Sequence, residues 1–261
     1  MTSILILILI ISNFVLIYLL NRKKIKKYFS ASSIKSVNIE KVNKIFESKK
    51  ISDNLYGPKE DVIIKSFCTP SGQKDIVGKT SEYEAWILSS LSKISKNIFE
   101  FGTCSGKTTT LMALNSPPDA KILTLTLNSD QAKNLTLDNR DNKVSIRNII
   151  NESNYEKFLF SNQEFEKKIS VLFMDSRELD ANKYQNKFDL IFIDGGHTYS
   201  IVENDSYKAF KMIKKGGIIL WHDYVPGKTS DKDIVKYLNK IAKDKNIFHI
   251  ENTSLCYFNN I

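Results

Sequence analysis

Residues 98–109, IFEFGTCSGKTT, read as a short apolar strand, a glycine-bearing turn and the start of a helix. Such a stretch constrains the rest of the chain, because it brings backbone to the carboxyl end of a strand where a ligand can approach. Gly102 and Gly106 permit the sharp turn and close approach, and the helix behind them aims its free N–H groups at the turn. Glu100, just before the turn, would repel a phosphate but accept hydrogen bonds from a ribose hydroxyl or an amino group. A nucleotide P-loop would need its leading glycine where Phe101 stands, so Gly106-Lys107-Thr108 closes a loop one residue short. The dinucleotide fingerprint fails as well, since Cys104 holds the middle glycine's place and position 107 is lysine. An ordinary strand-to-helix turn would account for this stretch by itself, but not for the pattern of strand ends in the C-terminal half of the chain.

Downstream, apolar β-rich segments at 121–127, 170–174, 188–193, 218–221, 248–250 and 255–258 alternate with helical spacing at 200–214 and 231–243, while a helix at 81–95 precedes the first strand. This alternation implies an α/β fold, a doubly wound and mainly parallel seven-stranded Rossmann-like sheet with helices on both faces. The crossover 128–168 is long and polar, with room for helices and an inserted strand. In such sheets ligands sit beyond the carboxyl ends of the strands. Here those ends carry Glu100 and Gly102, Thr126, Asp175 and Ser176, Asp194 and His197, then His222 and Asp223. Solubility alone would not place acids and imidazoles so regularly.

Two of these ends carry the strongest chemical signal. In 192–199, FIDGGHTY, an acid directly after a buried strand, two glycines and a histidine put an oxygen ligand and a possible base on one loop. In 220–224, LWHDY, a second imidazole and carboxylate come after the neighbouring strand. Asp194, His222 and Asp223 suit one divalent ion, with water and two substrate oxygens completing the shell. Asp175-Ser176 equally fits a helix N-cap, His197 a hydrogen-bonded loop histidine, and His222 a residue that orients a ligand.

Glu100-x-Gly102-x-x-x-Gly106 resembles the first motif of class I S-adenosylmethionine-dependent methyltransferases. Within that superfamily the stretch is similar to small-molecule O-methyltransferases of the macrocin and cephalosporin-biosynthesis type, from about Glu82 to the C-terminus. The resemblance implies S-adenosylmethionine held by Glu100, Gly102, Thr103, Ser105, Gly106, Thr126, Asp175, Ser176 and Asp194. By similarity to catechol O-methyltransferase it implies Mg2+ or Mn2+ on Asp194, His222 and Asp223, and His197 as the base that receives the acceptor's hydroxyl proton. The implied acceptor is a small molecule or sugar hydroxyl. Two positions depart from the pattern: Thr126 where an acid usually holds the ribose, and Cys104 for the middle glycine. A noncatalytic module that keeps the fold is the alternative, with a P-loop enzyme more distant.

The residues before the domain point elsewhere. Residues 3–20 are almost wholly apolar and, at about 1.5 Å rise per residue, long enough to approach the roughly 30 Å hydrocarbon thickness. Their flanks lack the charge and small residues of a cleaved signal, and Arg22, Lys23, Lys24, Lys26 and Lys27 lie directly after them, so a single-pass anchor with the domain on the cytoplasmic side is expected. The net charge of +9 draws on this block, which suits a membrane surface; no basic ladder interleaved with aromatics suggests nucleic acid. Cys68, Cys104 and Cys256 are too few and too scattered for a disulfide frame or zinc site. The expected organisation is an anchor at 3–20, a basic juxtamembrane linker with a lid-like segment at 21–80, and a methyltransferase domain at 81–261.

Overall fold

Among the described residues ten strands succeed one another: β1 (Lys35–Val37), β2 (Ser48–Ser52), β3 (Leu55–Pro58), β4 (Asn97–Phe101), β5 (Lys121–Thr126), β6 (Ile169–Phe173), β7 (Phe188–Ile193), β8 (Ile213–Trp221), β9 (Ile247–Ile250) and β10 (Cys256–Asn259). A single helical turn, Ile39–Val42, follows β1, and the helices from Glu82 onward are α1 (Glu82–Lys93), α2 (Lys107–Asn115), α3 (Ser129–Lys133), α4 (Ser145–Glu152), α5 (Tyr199–Met212) and α6 (Lys232–Ile241). This computed structural model describes residues 34–42, 45–53, 55–67, 80–136, 138–142, 145–153 and 155–261, together with 12, 13 and 18. The expected anchor at 3–20 lies almost entirely outside the described residues, and no helix among those described is long and apolar enough to cross a membrane.

The main sheet runs β1-β9-β10-β8-β7-β4-β5-β6, with β10 antiparallel to both its neighbours and every other pairing parallel. It therefore has eight strands rather than seven. The additional strand is β1, from the segment read as linker; it pairs in parallel with β9, Lys35 opposite Phe248 and Val37 opposite Ile250. Three residues are too short to show a period, which is why the pattern missed it. Their surroundings are nonetheless core: Val37 and Phe46 are buried, and the Phe46 ring meets Tyr257 edge-on at 5.0 Å. The hairpin β2–β3 stands apart as a second, two-stranded sheet. In the 128–168 crossover, α3, α4 and a 3-10 turn at Glu164–Lys168 appear, and no strand among the described residues.

Strand parity divides the core into two layers. Ile98 on β4, Leu190 and Phe192 on β7 and Leu220 on β8 pack beneath α1 and α2, against Ile87, Leu88, Leu91 and Met112. Phe99, Phe101, Ile191, Ile193, Ile219 and Trp221 face the other way, onto α5 and α6 through Val202, Ala209, Met212, Ile234 and Leu238. Each fully buried Val, Leu, Ile, Phe or Met among them contributes about 1.5–3 kcal/mol. Helix α1 starts at a capping box: Ser81 Oγ accepts from Glu84 N at 3.2 Å and Glu84 Oε2 accepts from Ser81 N at 2.8 Å.

The chain order reverses between β4 and β7, which opens the crevice at their carboxyl ends. There the backbones close on each other: Asp194 N donates to Phe101 O at 2.9 Å, and Gly102 N to Leu125 O at 2.9 Å. Gly102 has φ +97°, and a Cβ added to it would lie 2.1 Å from Asp194 O, so both conformation and space require glycine.

Candidate active site

A cleft of about 550 Å³, counted with its open mouth, lies over the carboxyl ends of β4, β5, β6 and β7. Of the expected cofactor residues, Gly102, Thr126, Asp175, Ser176 and Asp194 line it. Glu100, Thr103, Ser105 and Gly106 do not. Glu100 points two positions back along β4, to the α2 side of the sheet, and is fully buried. Its carboxylate accepts from Thr108 Oγ1 at 2.6 Å, Thr124 Oγ1 at 2.7 Å and Thr109 Oγ1. Burial pushes its pKa up to about 7 against those three hydroxyls, with Asp194 adding to the rise. Thr103 is buried with its hydroxyl 2.7 Å from that of Thr124, and Ser105 is buried with no hydrogen-bond partner for Oγ. Gly106 lies under the Phe160 ring, 2.8 Å from where a Cβ would stand, and Leu159 N donates to Ser105 O at 2.9 Å. The crossover thus covers the glycine turn. Cys104, which takes φ +46°, does line the cleft.

The carboxylates of the cleft differ in their partners. Asp175 caps the 3-10 turn Ser176–Glu178 and is held by Arg177, at 3.0 Å to each oxygen from Nε. Burial works to raise its pKa, but the guanidinium and the Arg177 N–H lower it on balance. A carboxylate has about four acceptor positions, so a cofactor amino group can share it. Thr126, in place of the usual acid, gives its hydroxyl to Leu127 O at 3.3 Å. Asp205 on α5 and Glu152 on α4 also line the cleft, and burial pushes each up to about 7.

Beside the cleft, Asp194 joins a cluster of imidazoles and acids. His222, buried at the end of β8, has Nδ1 3.1 Å from Asp194 Oδ1 and 3.3 Å from Asp223 Oδ2, and Nε2 3.6 Å from Glu84 Oε2. His197 has Nε2 3.1 Å from Asp223 Oδ2 and Nδ1 3.5 Å from the fully buried Asp231. Burial disfavours the charged form of each ring, yet the surrounding carboxylates prevail: His197 is raised to about 10 and His222 well above its ordinary value. The two imidazoles in turn hold Asp223 far below the usual carboxylate range, against its burial. With no cation in the cluster, the carboxylates thus favour the protonated form of each imidazole; a bound cation would compete with that proton.

One ligand atom from each of Asp194, His197 and Asp223 comes within 4.8 Å of the others, a spacing one ion can bridge. The expected set named His222 in place of His197. The buried nitrogens of His222, Nδ1 of His197 and Oδ2 of Asp231 make no hydrogen bond of good geometry, although each lies within ion-pair reach of an opposite charge. Buried polar atoms left this way are costly.

Sequence reasoning missed Glu84, Glu152, Asp205 and Asp231. Glu84 shows in sequence only as the third helical residue after a capping serine, which conceals that Oε1 also accepts from Ser254 N at 2.6 Å and that Oε2 faces His222. Asp231 reads as a residue ahead of a helix, Asp205 as mid-helix polarity, and Glu152 lies in the crossover that carries no clear period.

The fold finds counterparts among solved structures. A Podospora anserina methyltransferase bound to S-adenosylhomocysteine superposes with a TM-score of 0.51 at 12% identity, over 70% of this chain and 80% of that one. The O-methyltransferase TomG of Streptomyces achromogenes, involved in tomaymycin synthesis and solved with S-adenosylmethionine, gives 0.49 at 13% identity, over 72% and 83%. What the likeness shows is the fold, a Rossmann-like α/β methyltransferase architecture with a mainly parallel sheet. Residues 99–224, from β4 to just past β8, match the family model described as a methyltransferase domain. A segment of 59 residues is 39% identical to an uncharacterized protein of Acanthamoeba polyphaga mimivirus; it covers 23% of this chain and spans about a quarter, 26%, of that relative.

Proposed function

We propose that the protein transfers a methyl group from S-adenosylmethionine to a hydroxyl oxygen of a small-molecule or sugar-containing acceptor, with a divalent ion beside the cofactor. The observation that carries this reading is the position of Asp194, which lines the cleft at the strand ends and at the same time belongs to the histidine–carboxylate cluster. Methyl transfer from a sulfonium is an in-line displacement that asks little covalent help, so the protein's task is alignment. Thr126, Asp175 and Ser176 would hold the adenosyl part at the ends of β5 and β6, and Gly102 admits it close to backbone. Asp194 and Asp223 would hold the ion with an imidazole from the cluster. When bound, a divalent ion lowers the pKa of an acceptor hydroxyl and fixes its direction. Asp205 and Glu152 line the same cleft with carboxyls raised to about 7, and a cationic sulfonium would favour their ionised forms in a way its neutral product would not.

The apolar run at 3–20 and the basic block from Arg22 to Lys27 support the further reading that the domain is tethered to a membrane on its cytoplasmic side. Titration calorimetry of the full chain in mild detergent, with S-adenosylmethionine and with ATP, each with and without Mg2+ or Mn2+, tests the enzymatic reading. Binding of S-adenosylmethionine alone is expected. Binding of ATP without S-adenosylmethionine would overturn it in favour of a nucleotide enzyme.

A further inference from the structure

We propose that His197 is itself a metal ligand, through Nε2 and together with Asp194 and Asp223, with Asp231 positioning its ring, and that the site therefore takes a first-row transition ion in preference to magnesium. The proposal rests on the metal-assisted reading of the function and changes the part His197 plays in it.

Three observations carry it. The first is the convergence of one donor atom each from Asp194, His197 and Asp223 within 4.8 Å. The second is the setting of the His197 ring. A metal-bound imidazole nearly always gives its other N–H to a carboxylate, which fixes its tautomer and direction. Nδ1 of His197 faces Asp231 Oδ1 at 3.5 Å, and Asp231 is fully buried and pinned by Ser230 Oγ at 2.7 Å and Lys228 Nζ at 2.6 Å. That leaves Nε2 on the side of Asp223. The third is the contrast with His222, the imidazole expected from sequence. Acids flank His222 at both nitrogens, Asp194 and Asp223 at Nδ1 and Glu84 at Nε2, so its ring suits a double donor that orients two ligands. Both its nitrogens are buried and face carboxylates without a well-formed hydrogen bond.

The choice of ion depends on the donors. Magnesium binds hard oxygen ligands and keeps much of its water, whereas imidazole nitrogen suits manganese, cobalt and zinc progressively better. One imidazole among three protein ligands tips the balance away from magnesium.

The test measures metal binding, not turnover. The metal-stripped full chain is titrated with Mn2+ by electron paramagnetic resonance, alone and against Mg2+, and compared with His197→Ala, His197→Gln and Asp231→Asn. Mn2+ is expected to bind at least about tenfold more tightly than Mg2+. His197→Ala and His197→Gln should weaken Mn2+ at least about tenfold and bring the two ions level, and Asp231→Asn should weaken Mn2+ by about 10–100-fold. Spin-echo modulation from an imidazole nitrogen should be present in the Mn2+-loaded wild type and in His222→Ala. This readout serves even if the His197 variants fail to fold. Absence of that modulation, Mg2+ binding as tight as Mn2+, or His197 variants that keep wild-type Mn2+ affinity would each overturn the assignment. Because S-adenosylmethionine binding is measured separately, its loss with metal selection intact would sink the methyl-transfer reading and leave this one standing.

Discussion

Replacing Glu100 with glutamine is the sharpest probe of how the glycine turn is built. The wild-type carboxylate is fully buried among the hydroxyls of Thr108, Thr109 and Thr124, and burial lifts its pKa from an ordinary 4.5 to about 7. An acid whose folded-state pKa is raised binds its proton more tightly folded than unfolded. Its contribution to stability is therefore complete below the unfolded pKa and lost as pH rises through the folded one. At 1.36 kcal/mol per unit, a rise of this size amounts to about 3 kcal/mol lost between the two pKa values. Glutamine keeps the shape and cannot ionise. Its amide nitrogen must donate where one oxygen accepted, and Thr124 can turn its hydroxyl to Thr103, 2.7 Å away. The unfolding free energy of Glu100→Gln minus that of wild type should thus rise by about 3 kcal/mol from about pH 5 to about pH 8, since every other titration is common to both proteins and cancels. Urea unfolding monitored by the fluorescence of Trp86 and Trp221 measures it. A difference that stays flat within about 1 kcal/mol across that range would refute the burial argument.

Gly102→Ala should lose S-adenosylmethionine affinity by at least about tenfold, because a left-handed φ costs about 1–2 kcal/mol with a Cβ and the Asp194 carbonyl must move out of its way; unchanged calorimetric binding would show that the cleft does not hold the cofactor. Asp194→Ala should abolish both Mn2+ binding and methyl transfer while circular dichroism stays native, and chelation should do the same to wild type until metal is restored; full turnover in excess chelator would remove the ion from the reaction. The full chain should pellet with membranes and resist carbonate, and protease outside intact cells should leave the domain uncut; digestion would reverse the topology inferred from Arg22 to Lys27.

What the sequence makes legible is whatever a local period or a turn residue encodes. All seven strands read from alternation are present, and the strand ends brought Gly102, Thr126, Asp175, Ser176 and Asp194 to one cleft. The start of β8 was misplaced, because Lys214-Lys215-Gly216-Gly217 reads as a turn although the strand begins at Ile213 and bends through Gly216 at φ +78°. Parity was the harder matter. Glu100 and Gly102 are two residues apart, yet the first belongs to the layer under α2 and the second to the open rim, and only pairing with Thr124 on β5 shows this. The rest of the cluster comes from remote parts of the chain: Glu84 is 170 positions from Ser254, which it binds, and Asp231 reaches His197 from beyond β8. No local pattern encodes such meetings.

The same parity accounts for the nucleotide-like run Gly106-Lys107-Thr108. In a P-loop the glycine would leave the helix N-terminus open to phosphate, the lysine would reach into the loop, and the hydroxyl would face a magnesium ion. Here Phe160 lies over Gly106, Lys107 Nζ reaches back to Thr80 O at 3.5 Å, and Thr108 donates into the sheet to Glu100. The threonines at 108 and 109 are there because a buried carboxylate needs hydroxyl donors, and α2 is the element that covers it. A phosphate at this turn would meet aromatic carbon above and a carboxylate below. The turn therefore works as the packed floor of the cleft, and the ligand-facing chemistry begins at Gly102 and Cys104, one layer nearer solvent.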